Sequence, residues 1–202
     1  MPTFDLLAIS DRSSLVEVSF EEWLRRLTAA GVGAVQIREK DLNDRDLYEL
    51  TLGARATVAP PAVLLVNGRM DVAFAAGADG CHLPADGVPL AALRRRFGAQ
   101  VLLGRSTHHV EEVERAAREG ADYVTFGPVY DTPSKAQYGP PRGLEELARA
   151  AKAGIPVYAL GGVTLSRFAE VAAAGAAGVA GIRLFQEPEL FEAAEAARRH
   201  FS

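Results

Sequence analysis

One unit recurs along the chain: a short, nearly uninterrupted apolar run, then an Ala/Glu/Arg/Leu segment with helical spacing. The apolar runs read "FDLLAIS", "AVQIRE", "AVLLVNG", "GCHLP", "QVLLGRS", "DYVTFG", "PVYALGG" and "GVAGIRL". Continuous rather than alternating apolarity suits strands buried on both faces, as in a parallel sheet. The intervening segments include "SFEEWLRRLTAAG", "DRDLYELTLGARAT", "PLAALRRRFG", "HVEEVERAAREG" and "TLSRFAEVAAAG". Several open on a capping residue (Ser19, Asp44, Thr164) and several close on glycine (Gly31, Gly98, Gly120, Gly175). The phrases "AAGVGAVQI", "AAGADGCHL", "REGADYVTF" and "AAGAAGVAG" each join a helix end, a glycine cap and a strand start. Eight strand–helix units in 202 residues predict an α/β fold, a single closed (β/α)8 TIM barrel at its lower size limit. The competing open, doubly wound sheet carries a glycine-rich turn after its first strand, and "ISDRSS" has none. No linker or break in composition divides the chain, so residues 1–202 read as one domain.

Composition narrows the class of partner. A formal charge of −4 argues against a nucleic acid or an acidic membrane, both of which need a basic face. No apolar run approaches the roughly 20 residues that span a bilayer. The start "MPTFDLLAIS" lacks the pattern of a secretory signal, so a cytoplasmic protein is expected. Cys81, the one cysteine, excludes a disulfide framework and a multi-thiol metal site.

In barrels of this kind the functional groups stand at the C-terminal ends of the strands. Those ends carry Asp11; Arg38 and Lys40; Asn67 and Arg69; His82; Arg105, Ser106 and His108; Thr132, Ser134 and Lys135; Gly161 and Gly162; and Arg183. An acidic chain that gathers basic and hydroxyl groups on one face is built for a small anionic ligand. A single arginine beyond a strand is more often a solvated loop residue; agreement among several strand ends carries the inference. "ALGGV" places two glycines at the seventh strand end before a helix, where backbone N–H groups can approach phosphate oxygens. "DTPSKAQYGPPRG" puts Thr132, Ser134 and Lys135 in a Pro/Gly-rich loop, as an anion clamp would need. His82, beside Cys81, reads first as a hydrogen-bonded core histidine. His108 and His109 read first as residues flanking a helix, and none of these has a zinc-ligand spacing.

These motifs resemble the thiamine phosphate synthase superfamily of small barrels across nearly the whole chain. The resemblance rests on "LAISD", "VQIREKDL", "VNGRMDVAFAAGADGCHLP", "GRSTHHVEEVERAAREGADYVTFGPVYDTPSK" and "IPVYALGGVTLSRFAEVAAAGAAGVAGI". It implies that Arg38, Lys40, Asn67, Thr132, Ser134 and Lys135 surround a pyrimidine diphosphate. Ser106 would lie near the pyrimidine, with Gly161 and Gly162 at a thiazole phosphate. Relatives commonly pair, so a homodimer is expected.

The chain also departs from the synthase pattern. Gly68 and Gly87 stand where the synthase has its magnesium-binding acids, with Asp86 one residue away from the second, and Arg183 replaces a phosphate-binding serine. Magnesium requires several hard oxygen ligands in tight geometry, so no metal cofactor is expected unless the synthase reading holds. "NGRMDVA" and "HLPA" instead look like the TenI branch, whose activity is thiazole tautomerisation. There a histidine moves the proton, and Pro128 occupies its position here. His108 and His82 are the remaining candidate bases. The leading expectation is therefore a TenI-like protein that binds a thiazole phosphate, as a metal-independent tautomerase. The alternatives are a thiamine phosphate synthase and a non-catalytic phosphate-binding or regulatory relative.

Overall fold

The computed structural model describes residues 4–16, 18–132, 140–186 and 190–201. Eight parallel strands close into a barrel in sequence order: β1 (Leu6–Ile9), β2 (Ala34–Ile37), β3 (Val63–Asn67), β4 (Gly80–Leu83), β5 (Leu102–Thr107), β6 (Tyr123–Phe126), β7 (Val157–Leu160) and β8 (Gly178–Gly181). Closure is made by β1 beside β8, with Leu7 opposite Ala180. Each of the eight apolar runs contains one strand to within a residue, so the (β/α)8 expectation holds. Around them lie α1 (Phe20–Ala30), α2 (Asp44–Thr57), α3 (Met70–Ala75), α4 (Leu90–Phe97), α5 (Val110–Arg118), α6 (Gly143–Ala150), α7 (Phe168–Ala173) and α8 (Leu190–Phe201). Among the described residues no helix is long and apolar enough to cross a membrane.

Local chemistry explains where the helices begin and end. The Ser19 hydroxyl accepts from the Glu22 amide at 3.2 Å, satisfying one of the free N–H groups of the first turn of α1. Gly31 ends that helix in the left-handed conformation. The cap of α2 lies one residue earlier than the sequence suggested: Asn43 accepts from the Asp46 amide at 3.0 Å, and Asp44 is the first helical residue. Asparagine and aspartate cap equally well, so sequence alone leaves that frame open. Thr164 precedes a short 3-10 turn (Leu165–Arg167), and its hydroxyl lies 3.1 Å from that of Ser166 instead of capping.

Alternation along each strand creates two apolar layers. Outward residues such as Leu6, Val35, Leu64, Cys81, Leu103, Val124 and Val179 pack against the helices. Inward residues Leu7, Ile9, Ala34, Leu65, Tyr123, Tyr158 and Ala180 fill the barrel together with Phe4. Phe4 stacks on Tyr158 at 4.7 Å and meets Tyr123 edge-on at 5.5 Å. The Tyr158 hydroxyl donates to the Phe4 carbonyl at 2.6 Å, tying this aromatic floor together. Above the floor, the buried residues on the same inward alternation become polar: Gln36, His82 and Thr125. Polarity thus rises along the barrel axis from the floor to the C-terminal ends of the strands.

Candidate active site

The inward face of the strand ends brings Arg38, Asn67, His82, Ser106 and Thr125 around one mouth, by the alternation that puts Ala34, Leu65 and Tyr123 inside. Arg38 is half-buried, and the backbone beside it is clamped. Its amide donates to the Ser10 hydroxyl at 2.8 Å, and Ser10 donates to buried Glu39 at 2.5 Å. Glu39 also accepts from the Arg12 amide, at 3.2 Å through Oε2. Among the described residues Arg38 has no carboxylate partner, so its positive charge is available to a ligand. Lys40 is exposed two residues further along.

His82 is 2 % exposed and engaged on both ring nitrogens: Nδ1 lies 3.0 Å from the Tyr123 hydroxyl and Nε2 lies 2.9 Å from Ser106 Oγ. The fully buried Tyr123 hydroxyl has no other partner among the described residues, so its one hydrogen goes to Nδ1. Nε2 then carries the ring proton and donates to Ser106, which leaves the serine hydrogen uncommitted to His82. Burial, helped by the positive charges of Arg105 and Arg38, pushes the imidazole down to about 3. A neutral ring locked in this way orients Ser106. Gln36 was missed in the sequence reading. Its side-chain nitrogen is buried without a hydrogen-bond partner, an orphan donor inside the barrel below the mouth. A glutamine within the apolar run "AVQI" was the available signal.

His108 lies just past β5, where its Nδ1 donates to the Gly127 carbonyl at 2.6 Å. A carbonyl can only accept, so that bond places a proton on Nδ1 and fixes the ring. The imidazole therefore stands beside Pro128, which follows a cis peptide bond.

Two strand-end arginines are occupied elsewhere. Arg105 lies on the outward face of β5 with Leu103, and its guanidinium donates to the carbonyls of Pro84 (2.9 Å), Ala85 (3.2 Å), Gly87 (3.3 Å) and Val88 (2.6 Å). It staples the β4–α4 loop. Arg69 forms two hydrogen bonds to Asp71, at 2.9 and 2.6 Å, and also binds Asp44. That pairing holds the Asp71 carboxyl below its ordinary range. Arg183 is exposed in the turn after β8, and Thr132 is half-buried beyond β6. Ser134 and Lys135 lie outside the described residues.

The Gly161–Gly162 turn follows β7, with φ of +93° and +66°. A Cβ on Gly161 would sit 2.7 Å from the Pro128 side chain, and one on Gly162 would sit 2.7 Å from the Asp131 carbonyl. Close packing of two loops therefore demands these glycines, whatever they bind.

The residues do not fit a protein-held magnesium ion. Gly68 offers no carboxylate, Asp71 is engaged by Arg69, and Asp86 is exposed. A side chain at Gly87 would press to 3.1 Å from the Pro84 carbonyl. Among the described residues no three acidic, histidine or cysteine side chains converge.

This geometry defines a (β/α)8 barrel whose mouth gathers a cation without a carboxylate partner among the described residues (Arg38), an amide (Asn67) and a hydroxyl (Ser106). The family model described as thiamine monophosphate synthase matches residues 6–185, and the chain belongs to that family. It is 44% identical over 154 residues to a thiamine-phosphate synthase of Anaeromyxobacter dehalogenans, covering 76% of this chain and 69% of that one. It is 40% identical over 179 residues to a thiamine-phosphate synthase of Methanoculleus marisnigri, covering 88% and 85% respectively. The solved structure of a thiamine phosphate pyrophosphorylase from Pyrococcus furiosus superposes with a TM-score of 0.86 at 29% identity, covering 99% of this chain and 96% of that one. The superfamily expected from the motifs is thus established, and with it a place in thiamine biosynthesis. The relatives carry the synthase name, which favours the alternative set out above over the leading tautomerase expectation.

Proposed function

We propose that this protein is a transferase of the synthase type, joining a pyrimidine diphosphate ester to a thiazole phosphate and releasing diphosphate. The observation that supports this reading is the placement, on opposite sides of one mouth, of two groups of donors each suited to an anion. Arg38 and Asn67 stand at the ends of β2 and β3, whereas the Gly161–Gly162 turn follows β7, diametrically across the ring from β3. An isomerase acting on one phosphorylated thiazole needs one such device; a transferase with two anionic substrates needs two. The synthase names of the relatives point the same way.

In this reading Arg38 and Lys40, together with Asn67, stabilise the charge that develops on the leaving diphosphate. Ser106, oriented by His82, donates to the pyrimidine, and the glycine turn receives the thiazole phosphate. The carbon–oxygen bond of the ester breaks and its electron pair leaves with diphosphate. The lone pair of the thiazole nitrogen forms the new carbon–nitrogen bond. No proton has to move, so a proline at position 128 is compatible with the chemistry. Charge neutralisation falls to the protein's own cations. The test is formation of thiamine phosphate from both precursors by the purified chain, with and without added magnesium. An enzymatic rate is expected; no product under either condition overturns the reading.

His108 favours a second reading, tautomerisation of a thiazole phosphate. Its imidazole is fixed beside Pro128 by the bond to Gly127. Here the ultraviolet change of the non-aromatic thiazole phosphate is the assay. Acceleration by the wild type that is lost in His108→Ala supports it, and no acceleration by the wild type eliminates it.

A further inference from the structure

The Gly161–Gly162 turn is gripped from outside by a residue that the sequence motifs do not single out. Arg167, half-buried in the 3-10 turn ahead of α7, donates through Nη1 to the Gly162 carbonyl at 2.5 Å. Its guanidinium also lies over the Tyr130 ring, 4.0 Å from the centroid. Tyr130 is itself anchored twice: its hydroxyl donates to Glu170 at 2.6 Å, and its amide donates to the Gly161 carbonyl at 3.0 Å. Both glycine carbonyls are therefore held from the Tyr130–Arg167 side.

A trans peptide is planar, with C=O and N–H pointing in opposite directions. Fixing the Gly161 carbonyl aims the Gly162 amide away from Tyr130, and fixing the Gly162 carbonyl aims the Val163 amide away from Arg167. Among the described residues neither amide donates to another backbone carbonyl. Two adjacent unspent N–H groups on fixed peptide planes form a receptor for an anionic oxygen.

We propose that Arg167 is a positioning residue for the phosphate subsite, setting the Gly162 and Val163 amides by holding the far side of the turn. The proposal rests on the reading that the turn receives the phosphate of the thiazole substrate. Arg167 works through the carbonyl it grips and the ring it covers, not by touching the phosphate. Lysine would restore a donor and a charge but not the planar stack on Tyr130.

The experiment is calorimetric titration of wild type, Arg167→Met and Arg167→Lys with the thiazole phosphate, with its unphosphorylated alcohol, and with a pyrimidine diphosphate. Arg167→Met is expected to weaken the thiazole phosphate about tenfold, because a turn no longer held aims its amides less well and loses roughly one hydrogen bond's worth of binding. Arg167→Lys should fall between the two, and affinities for the alcohol and the pyrimidine diphosphate should stay unchanged, while the melting temperature falls modestly with the lost bond to Gly162. Wild-type affinity in Arg167→Met overturns the proposal, provided that wild type still prefers phosphate to alcohol. Parallel weakening of all three ligands also overturns it, because that marks a general structural defect. If wild type itself makes no distinction between phosphate and alcohol, the turn is not a phosphate subsite, and the underlying reading fails instead.

Discussion

Replacing His82 by glutamine tests the polar layer inside the barrel through acid stability. His82 is buried and neutral, with its pKa pushed down to about 3, whereas an unfolded chain returns it to about 6.5. Between those values the unfolded state binds a proton that the native state refuses, so stability rises with pH across the window. The His82 contribution is fully present above pH 6.5 and is lost as pH falls toward 3. Each pH unit inside the window costs about 1.4 kcal/mol. From pH 7 to pH 5 the loss from this one residue is therefore about 2 kcal/mol. Glutamine has no proton to gain in this range and keeps a donor and an acceptor near Ser106 and Tyr123. Urea unfolding at pH 7 and pH 5, compared between wild type and His82→Gln, isolates the term because all carboxylates are common to both. The variant should start less stable at pH 7, from imperfect packing, and lose about 2 kcal/mol less on acidification. Equal losses in the two proteins would refute the assignment of a buried neutral imidazole.

Arg105→Met leaves the carbonyls of Pro84, Ala85, Gly87 and Val88 without their shared donor. A stability loss of about 3 kcal/mol is expected, with faster amide hydrogen exchange confined to the β4–α4 loop; unchanged exchange there contradicts the staple. Gly68→Asp tests the metal misfit from the other direction. The backbone there has φ of +70°, which aspartate tolerates better than most residues, and a Cβ meets only Pro84 Cδ at 3.8 Å. In the presence of diphosphate the variant should bind magnesium more tightly by calorimetry, and equal affinity in wild type contradicts the reading of Gly68.

The barrel was legible because its strands are buried on both faces and written as apolar runs, punctuated by helix caps and glycines. What a strand-end cation does was not legible. Arg38, Arg69 and Arg105 look equivalent in sequence, yet only Arg38 is without a carboxylate or carbonyl partner among the described residues. Arg69 meets Asp44 from α2, and Arg105 meets carbonyls some twenty positions earlier in the chain. Such pairing depends on which loops fold over which strands, and no local pattern encodes it. His82 was legible as a core histidine, but its link to Ser106 needs the parallel register of β4, β5 and β6. Arg167 left no signal, since its partners Tyr130 and Gly162 come from different loops.

The aromatic floor of Phe4, Tyr123 and Tyr158 has a kinetic consequence. It makes the barrel a vessel with one door. A ligand that reaches down to Gln36 and Ser106 must arrive before anything that covers the rim, and it cannot depart beneath it. In the synthase reading two substrates sharing this well queue, the deeper one first in and its descendant last out. Steady-state patterns with product inhibitors read that queue directly, and it originates in three rings packed at the end of the barrel opposite the polar mouth.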